Sequence, residues 1–269
     1  MIPKVSVIMP VYNTASFLKE AIDSILNQTF SYFEFIIIDD FSSDWSYEIL
    51  KQYQEKDDRI KLFRNDKNMW ISYTRNNLIE LSSTNYILSQ DSDDISLENR
   101  IELSYNFLEN NLDFWVVSWN NIIIDEQSNI IWYRKYSDDI KNTILKKSPI
   151  SQPSSMFRKD LFLEVWWYDK TLNYWEDYDL WINFFIKWYK IKNLDNDLIK
   201  YRIRKWQSKS DKLKQTIENT ILIQKRAVKN WLKPNFWDKF HIFLETILLF
   251  LPNSLILFLF KKLEYKNAK

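Results

Sequence analysis

Three short acidic clusters carry the chemistry that this chain of 269 residues could perform. Asp39-Asp40 directly follows the apolar run Ile36-Ile37-Ile38, and Asp91-Ser92-Asp93-Asp94 follows Tyr86-Ile87-Leu88. Glu176-Asp177-Tyr178-Asp179 opens a segment that carries Leu180, Trp181, Phe184 and Phe185. Carboxylates this close repel one another unless a cation or a hydrogen-bond donor compensates. Asp91 and Asp93 alternate across Ser92, so the natural reading is an oxygen-only site for a hard divalent cation, Mn²⁺ or Mg²⁺, with diphosphate oxygens completing the shell. The plainer reading of each cluster is helix initiation, because Asp is a good N-cap and acidic residues in a first turn complement the helix dipole. For Asp40 the two readings are evenly matched. Three Asp within four residues at a second strand end favour the functional one. In the third cluster local sequence favours helix initiation; the alternative is a general base that takes a proton from an incoming hydroxyl.

The elements that must hold these clusters are legible in the apolar pattern. Val5 to Met9 reads as a strand ended by Pro10, Ala15 to Gln28 as an amphipathic helix, and Phe33 to Ile38 as a strand buried on both faces. Helix at Ser46 to Gln54, strand at Ile60 to Phe63, helix at Ser72 to Leu81 and strand at Tyr86 to Leu88 continue the alternation. A helix over Leu97 to Asn110 and strands around Val116–Val117 and Ile122–Ile124 follow. This order predicts an α/β fold with a mostly parallel open sheet flanked by helices, whose ligands bind outside the carboxyl ends of the strands. Past residue 150 the pattern is mixed, with a helix at Asp177 to Lys187 and a strand at Leu198 to Ile203.

From Asp211 the character changes. Asp211 to Asn230 reads as a polar amphipathic helix, and Phe240 to Phe260 is strongly apolar, interrupted by His241, Glu245 and Pro252-Asn253-Ser254. The expected organisation is therefore a catalytic domain over 1–210 and a helical C-terminal tail over 211–269. Glu245 and Pro252 divide the apolar stretch into pieces too short to span a bilayer, which points to a membrane-interfacial tail with Lys261, Lys262 and Lys266 near anionic lipid. The alternatives are a helical hairpin packed on the domain and a homodimer contact.

Composition removes several classes. With 46% hydrophobic residues and 37 basic against 36 acidic side chains, the chain is neither disordered nor marked as a nucleic-acid binder. Absence of cysteine excludes disulfides, thiolate metal sites and a thiol nucleophile, and suits a reducing compartment. The N-terminus opens on a strand without the pattern of a signal peptide, so a cytoplasmic enzyme, peripheral on the inner face of the cell membrane, is expected.

Taken in order, six segments resemble the family 2 glycosyltransferases. They are Val5 to Asn13, Ser24 to Phe30, Ile37 to Asp44, Ser72 to Asn76, Asp91 to Asp94 and Glu176 to Trp181, within a resemblance that covers about residues 3 to 207. The resemblance implies a GT-A fold and an inverting enzyme that moves one sugar from a nucleotide-diphosphate sugar, usually UDP-linked, to an acceptor hydroxyl of a glycan or lipid-linked acceptor. It places Pro10, Tyr12 and Asn13 along the base and ribose, and Asp40 on the base. Arg75 and Glu176 would help to hold the donor. Asp91 would face the ribose and, with Asp93, form the metal-binding DxD pair, and Asp177 would be the base that deprotonates the acceptor. The Gln-x-x-Arg-Trp motif of processive members is missing, since Lys205-Trp206-Gln207 does not supply it, so a non-processive enzyme is expected. Relatives often carry a His near Arg204, which can pair with phosphate but cannot ligate a cation. A GT-A-like nucleotidyltransferase would need a glycine-rich basic loop where this chain has Pro10 to Thr14. An inactive, scaffold-type relative would be expected to lose some of Asp40, Asp91, Asp93 and Asp177, all of which are present.

The chain contains 0 glycine and 13 tryptophans. Members of the resembled family commonly carry glycine where this chain has Trp45, Trp70, Trp115, Trp119, Trp132, Trp166, Trp167, Trp188 and Trp206, and often at Trp175. Phe41 and Thr84 also stand at glycine-type positions. The pattern is that of a codon read as glycine in the source and as tryptophan in the written sequence, with a deliberate glycine-free recoding as the alternative. Peptide mass spectrometry of the protein from its source is expected to read glycine at Trp166 and Trp167; an intact Trp-Trp pair there would end that reading.

Overall fold

The computed structural model describes residues 2–164, 167–172, 175–204, 213–256 and 259. Its parallel core is β1 (Val5–Val11), β2 (Phe33–Asp39), β3 (Ile60–Arg64) and β4 (Tyr86–Ser89), in the spatial order β3-β2-β1-β4. Every residue of β1 and β2 is buried, as a strand covered on both faces requires. Successive side chains go to opposite faces. Ile8, Ile36, Ile38 and Ile87 pack with Leu78 and Ile79 of α3 (Ile71–Leu81) and with Leu180 and Trp181 of α7 (Glu176–Ile186). Val7, Met9, Phe35 and Ile37 pack with Leu18, Ile22 and Ile25 of α1 (Ala15–Leu26) and with Ile101 and Leu108 of α4 (Arg100–Asn110). Helix α2 (Ser46–Gln54) lies between β2 and β3 in sequence.

Beyond β4 the sheet continues through β8 (Met156–Arg158), β6 (Phe114–Ile124), β9 (Lys190–Arg202) and β5 (Ile95–Ser96), with β7 (Ile130–Arg134) paired to β6. β8 runs antiparallel to both β4 and β6, and β9 runs parallel to β6. Two short helices, α5 (Ile140–Thr143) and α6 (Leu161–Glu164), fill the connections. The result is an open α/β sheet flanked by helices, as the apolar pattern predicts.

Two element boundaries differ from the sequence reading. β6 is one strand of 11 residues, not two, although Ser118, Asn120 and Asn121 lie buried in its middle. They are satisfied there: Ser118 Oγ meets Ser154 Oγ at 2.9 Å, the Asn120 amide donates to the Asp195 carbonyl at 2.8 Å, and the Asn121 side chain meets Ser151 Oγ at 2.8 Å. Polar residues with partners do not interrupt a strand, but they do interrupt its hydrophobic signature. β9 likewise begins at Lys190, ahead of the expected Leu198.

The C-terminal helices are α8 (Leu213–Asn230) and α9 (Phe236–Leu248). Ile223 and Ala227 of α8 enter the same core as α7, and the Gln224 amide donates to the Leu145 carbonyl at 3.2 Å. α9 starts at Phe236, four residues ahead of the apolar stretch that opens at Phe240, because Asn235 and Asp238 form a reciprocal capping box. Residues 249–252 break the helix around Pro252 and 253–256 are helical again, so the apolar stretch is divided as expected. Lys261, Lys262 and Lys266 lie outside the described residues, as do Trp166 and Trp206.

The backbone gives the glycine question a conformational form. Phe41, Trp70, Trp175 and Trp188 all have positive φ, at 64°, 69°, 65° and 65°. Trp70, with ψ 159°, sits in a region that is essentially glycine-only, and Trp175 is left-handed at the N-cap of α7. Trp45 has φ −78°, and Trp115, Trp119 and Trp132 lie in strands, so glycine is required by φ at only some of the ten positions. Trp188 is 90% exposed, so replacing it removes no core packing. Trp188→Gly is expected to stabilise the chain by about 1 kcal/mol by relieving a left-handed non-glycine residue. That corresponds to a thermal midpoint raised by about 2–4 °C, read by calorimetry; an unchanged or lowered midpoint would deny the strain.

Candidate active site

The carboxyl ends of the neighbouring strands β1, β2 and β4 share one edge of the sheet, where an open α/β sheet has its ligand cleft, and side-chain hydrogen bonds join the loops there. Pro10 is buried within β1, and Tyr12, just past the strand, is about half exposed. Asn13 turns the chain with φ 52°; its backbone N–H donates to Ser42 Oγ at 3.0 Å and its Oδ1 accepts from the Ser43 N–H at 2.8 Å. Thr14 Oγ1 donates to Ser92 Oγ at 3.0 Å, joining the end of β1 to the acidic loop after β4. The asparagine expected along a nucleotide is thus also a structural clamp between the β1 and β2 loops.

Asp39 and Asp40 have different neighbours. Asp39 is fully buried and paired with Arg64 at 3.0 Å, with burial pushing its pKa up against the Ser42 hydrogen bonds and Arg64. Asp40 accepts from the Asn65 amide at 2.6 Å and from the Met69 N–H at 2.8 Å. Asn65 also donates to Thr74 Oγ1 at 3.1 Å, so Asp40 is braced against α3. A carboxylate so oriented at a strand end can accept a further hydrogen bond from a ligand in the cleft.

The acidic loop and the third cluster meet at Arg75. Its guanidinium donates to Glu176 Oε1 at 2.7 Å and to Asp91 Oδ1 at 3.0 Å, across 101 and 16 residues of sequence. The side chain is 6% exposed, and it lies over the Tyr168 ring at 5.7 Å. Burial opposes its charge, but Asp91, Glu176 and Asp177 hold it protonated. Arg75 Nε has no hydrogen-bond partner among the described residues. Asp177, half-buried beside Glu176 in the first turn of α7, accepts from the Tyr178 N–H at 2.8 Å. The structure therefore brings Arg75, Asp91, Glu176 and Asp177 together.

Asp93 has its own cation. Arg204 Nε stands 2.8 Å from Asp93 Oδ2, and Arg202 Nε donates to the Asp93 carbonyl at 2.8 Å. Burial pushes the Asp93 carboxyl up to about 6, with Arg204 opposing and Asp91 adding to the rise. Asp94 is pushed up by burial and by its acidic neighbours, and it accepts from the Arg202 N–H at 2.8 Å. Among the described residues no group of three or more His, Cys, Asp or Glu could by itself hold a metal ion. Asp91 and Asp93 nevertheless fit a hard divalent cation as an incomplete oxygen set, in which a buried carboxylate is eased by added positive charge and the ligand supplies the remaining oxygens. His241 is far along the chain in α9, paired with Glu245 at 3.4 Å, and has no part in this cleft's hydrogen bonding.

Sequence reasoning missed Arg202 and Arg100. Arg202, fully buried, also donates to Glu20 at 2.6 Å; Arg100, fully buried, donates to Gln90 Oε1 at 2.9 Å and Ser96 Oγ at 2.8 Å beneath the loop. The signal for the first was present: Arg202 and Arg204 are spaced by two at a strand end. A separate cavity of about 800 Å³, lined by Asn76, Tyr168, Asp179 and Arg226 among others, contains none of Asp40, Asp91, Asp93 or Asp177.

Comparison with known proteins agrees with this geometry. Residues 6–166 match the model of glycosyl transferase family 2, and the chain belongs to that family. It is 37% identical over 208 residues to an uncharacterized glycosyltransferase of Methanocaldococcus jannaschii, covering 75% of this chain and 71% of that protein. It is 33% identical over 242 residues to the O-antigen biosynthesis glycosyltransferase WbnJ of Escherichia coli, covering 85% of this chain and 92% of that protein. Its fold is shared with the mannosyltransferase PcManGT of Pyrobaculum calidifontis, solved with GDP-Man and Mn²⁺ (TM-score 0.68, 15% identity, 94% of this chain and 71% of that one). It is shared also with Staphylococcus aureus TarS 1-349 in complex with UDP-GlcNAc (TM-score 0.66, 18% identity, 89% and 70%).

Removing Arg75 takes the guanidinium from the buried Glu176 and from Asp91, whose side chain is 26% exposed. Arg75→Met is expected to destabilise the fold by about 3–5 kcal/mol in guanidinium titrations, and adding Glu176→Gln to recover part of that loss. A double variant no more stable than the single one would deny the bridge.

Proposed function

We propose that this glycosyltransferase moves one sugar from a UDP-linked donor to an acceptor hydroxyl, with inversion at the anomeric carbon, in the synthesis of cell-surface polysaccharide, lipopolysaccharide or glycolipid. The observation that carries the reading is the Arg75 bridge, which draws the acidic loop and the α7 carboxylates into one cleft. Asp40, braced by Asn65 and Met69, meets the base, while Pro10, Tyr12 and Asn13 lie along base and ribose. Asp91 faces the ribose. Arg75 keeps Asp91 and Glu176 in place and lends positive charge to the donor side.

Asp177 stands where a general base is needed. It accepts the acceptor hydroxyl proton as that oxygen bonds to the anomeric carbon and the bond to the diphosphate oxygen breaks. Asp91 and Asp93 would hold a divalent cation, Mn²⁺ or Mg²⁺, which supplies charge neutralisation at the departing diphosphate. WbnJ, named for O-antigen biosynthesis, supports a cell-surface acceptor, and the complexes of TarS and PcManGT support a nucleotide-sugar donor. The missing Gln-x-x-Arg-Trp motif supports a single addition, and the place of reaction is the cytoplasmic face of the cell membrane.

The test is turnover of UDP-sugars by purified protein with Mn²⁺. Asp177→Asn is expected to lower turnover by about 10²–10⁴-fold while leaving UDP binding intact. Asp93→Asn is expected to weaken Mn²⁺-dependent UDP binding in calorimetry. Undiminished turnover in both variants would overturn the assignment.

A further inference from the structure

Helix α9 is amphipathic the wrong way round for a packed helix. Phe236, Phe240, Phe243, Leu244 and Ile247, spaced as one helical face, are 72%, 43%, 58%, 43% and 40% exposed. Trp237 and Phe250 extend the same apolar surface at 65% and 83% exposed. The polar residues turn inward instead. Asp238 is buried and lies 3.4 Å from Lys146, and His241 pairs with Glu245, which is 18% exposed. Burying Phe236, Phe240 and Phe243 would ordinarily stabilise a fold by roughly 1.5–3 kcal/mol each, yet here they face water while carboxylates face the protein. A sequence does not leave an ordered apolar face of this kind without an occupant.

The surroundings of the face indicate which occupant. A groove of about 310 Å³ between α8 and α9 is lined by Lys225, Lys229 and Lys239 with Val228, Pro234 and Ile242. Among the described residues none of these three lysines has a carboxylate within ion-pair distance. Phe236, Trp237 and Phe240 form a mutually packed aromatic group, with ring centroids 5.5 to 6.4 Å apart, beside Lys239. Aromatics on a helix of 13 residues, next to its own Lys239 and across the groove from Lys225 and Lys229 of α8, match the chemistry of a bilayer interface. At about 1.5 Å per residue the helix is roughly 20 Å long, enough to lie along a membrane surface but not to cross one. No described helix is long and apolar enough to cross.

We infer that the outer face of α9, with the lysine groove beside it, docks this enzyme on a bilayer rich in anionic phospholipid. A second copy fits less well, because an isologous pairing would bring the same three lysines to the interface twice. The side of α9 opposite the docked face lies near α7, the helix that carries Asp177. On the inner side of α9 the Glu245 charge acts on Tyr178, whose hydroxyl donates to the Ile144 carbonyl, and Tyr178 is the neighbour of Asp177 in α7. Only this last relation rests on the proposed role of Asp177; docking itself involves no sugar.

The experiment is co-sedimentation of the full chain with vesicles of phosphatidylcholine alone and of phosphatidylcholine with about one third phosphatidylglycerol. Binding is expected on the anionic vesicles and to weaken with salt. The variant Phe236→Ser/Phe240→Ser/Phe243→Ser is expected to bind roughly tenfold more weakly or worse, with an unchanged thermal midpoint, since all three side chains are exposed. Lys225→Gln/Lys229→Gln/Lys239→Gln is expected to lose the preference for anionic vesicles. Equal sedimentation of the phenylalanine variant would overturn the inference. So would a dimer in vesicle-free buffer that this variant converts to monomer. UDP-sugar hydrolysis measured without vesicles separates the two readings, because it tests the cleft and is indifferent to the face.

Discussion

Negative charge collected at the ends of buried strands must be answered by buried positive charge, and the contact that answers it here is Arg75 between Asp91 and Glu176. The guanidinium could not be buried without these two carboxylates, and it supplies the counter-charge that the buried Glu176 requires. The planar fork suits two carboxylates at once, which a lysine ammonium would not. The same logic repeats around the acidic loop. Arg204 faces Asp93, Arg202 serves Asp94 and the Asp93 carbonyl, and Arg100 supports Gln90 from below. The loop after β4 is in effect suspended among four arginines from three different elements and the segment that follows β9.

Much of this is legible in the amino-acid sequence. The order of strands and helices through β4 follows from runs of apolar residues whose alternate members go to opposite faces, as Ile36, Ile37 and Ile38 do. Acidic residues immediately after such runs had to fall at one edge of the sheet. That Asp91 and Glu176 would share a single arginine was not legible, because nothing local marks a partner 101 residues away. β6 was split in the sequence reading for a related reason: its buried Ser118, Asn120 and Asn121 find partners on other segments, and periodicity registers only what is apolar.

The tryptophans gave the opposite lesson. Their number said that something was unusual, but only dihedral angles distinguish Trp70, Trp175 and Trp188, where the backbone needs a residue without Cβ, from Trp119, which is 4% exposed and donates its indole N–H to Ser104 at 2.8 Å. In α9 the composition was read correctly as apolar, while the direction of the apolar face was invisible. The capping box at Asn235 and Asp238 sets where the helix starts and so which residues turn outward.

Arg202 has one more effect, a mechanical one. Its side chain is pinned to Glu20, to the Asp125 and Glu126 carbonyls and to Ser128, and its backbone to Asp94, so β9 ends at a fixed anchor. Arg204 follows two residues later, a leash of about 7 Å at full extension. Its Cα can move only inside that radius, and the side chain must make up the rest of any exchange of Asp93 for another anion. The fold therefore sets the stroke of the Arg204 backbone by the length of two peptide units.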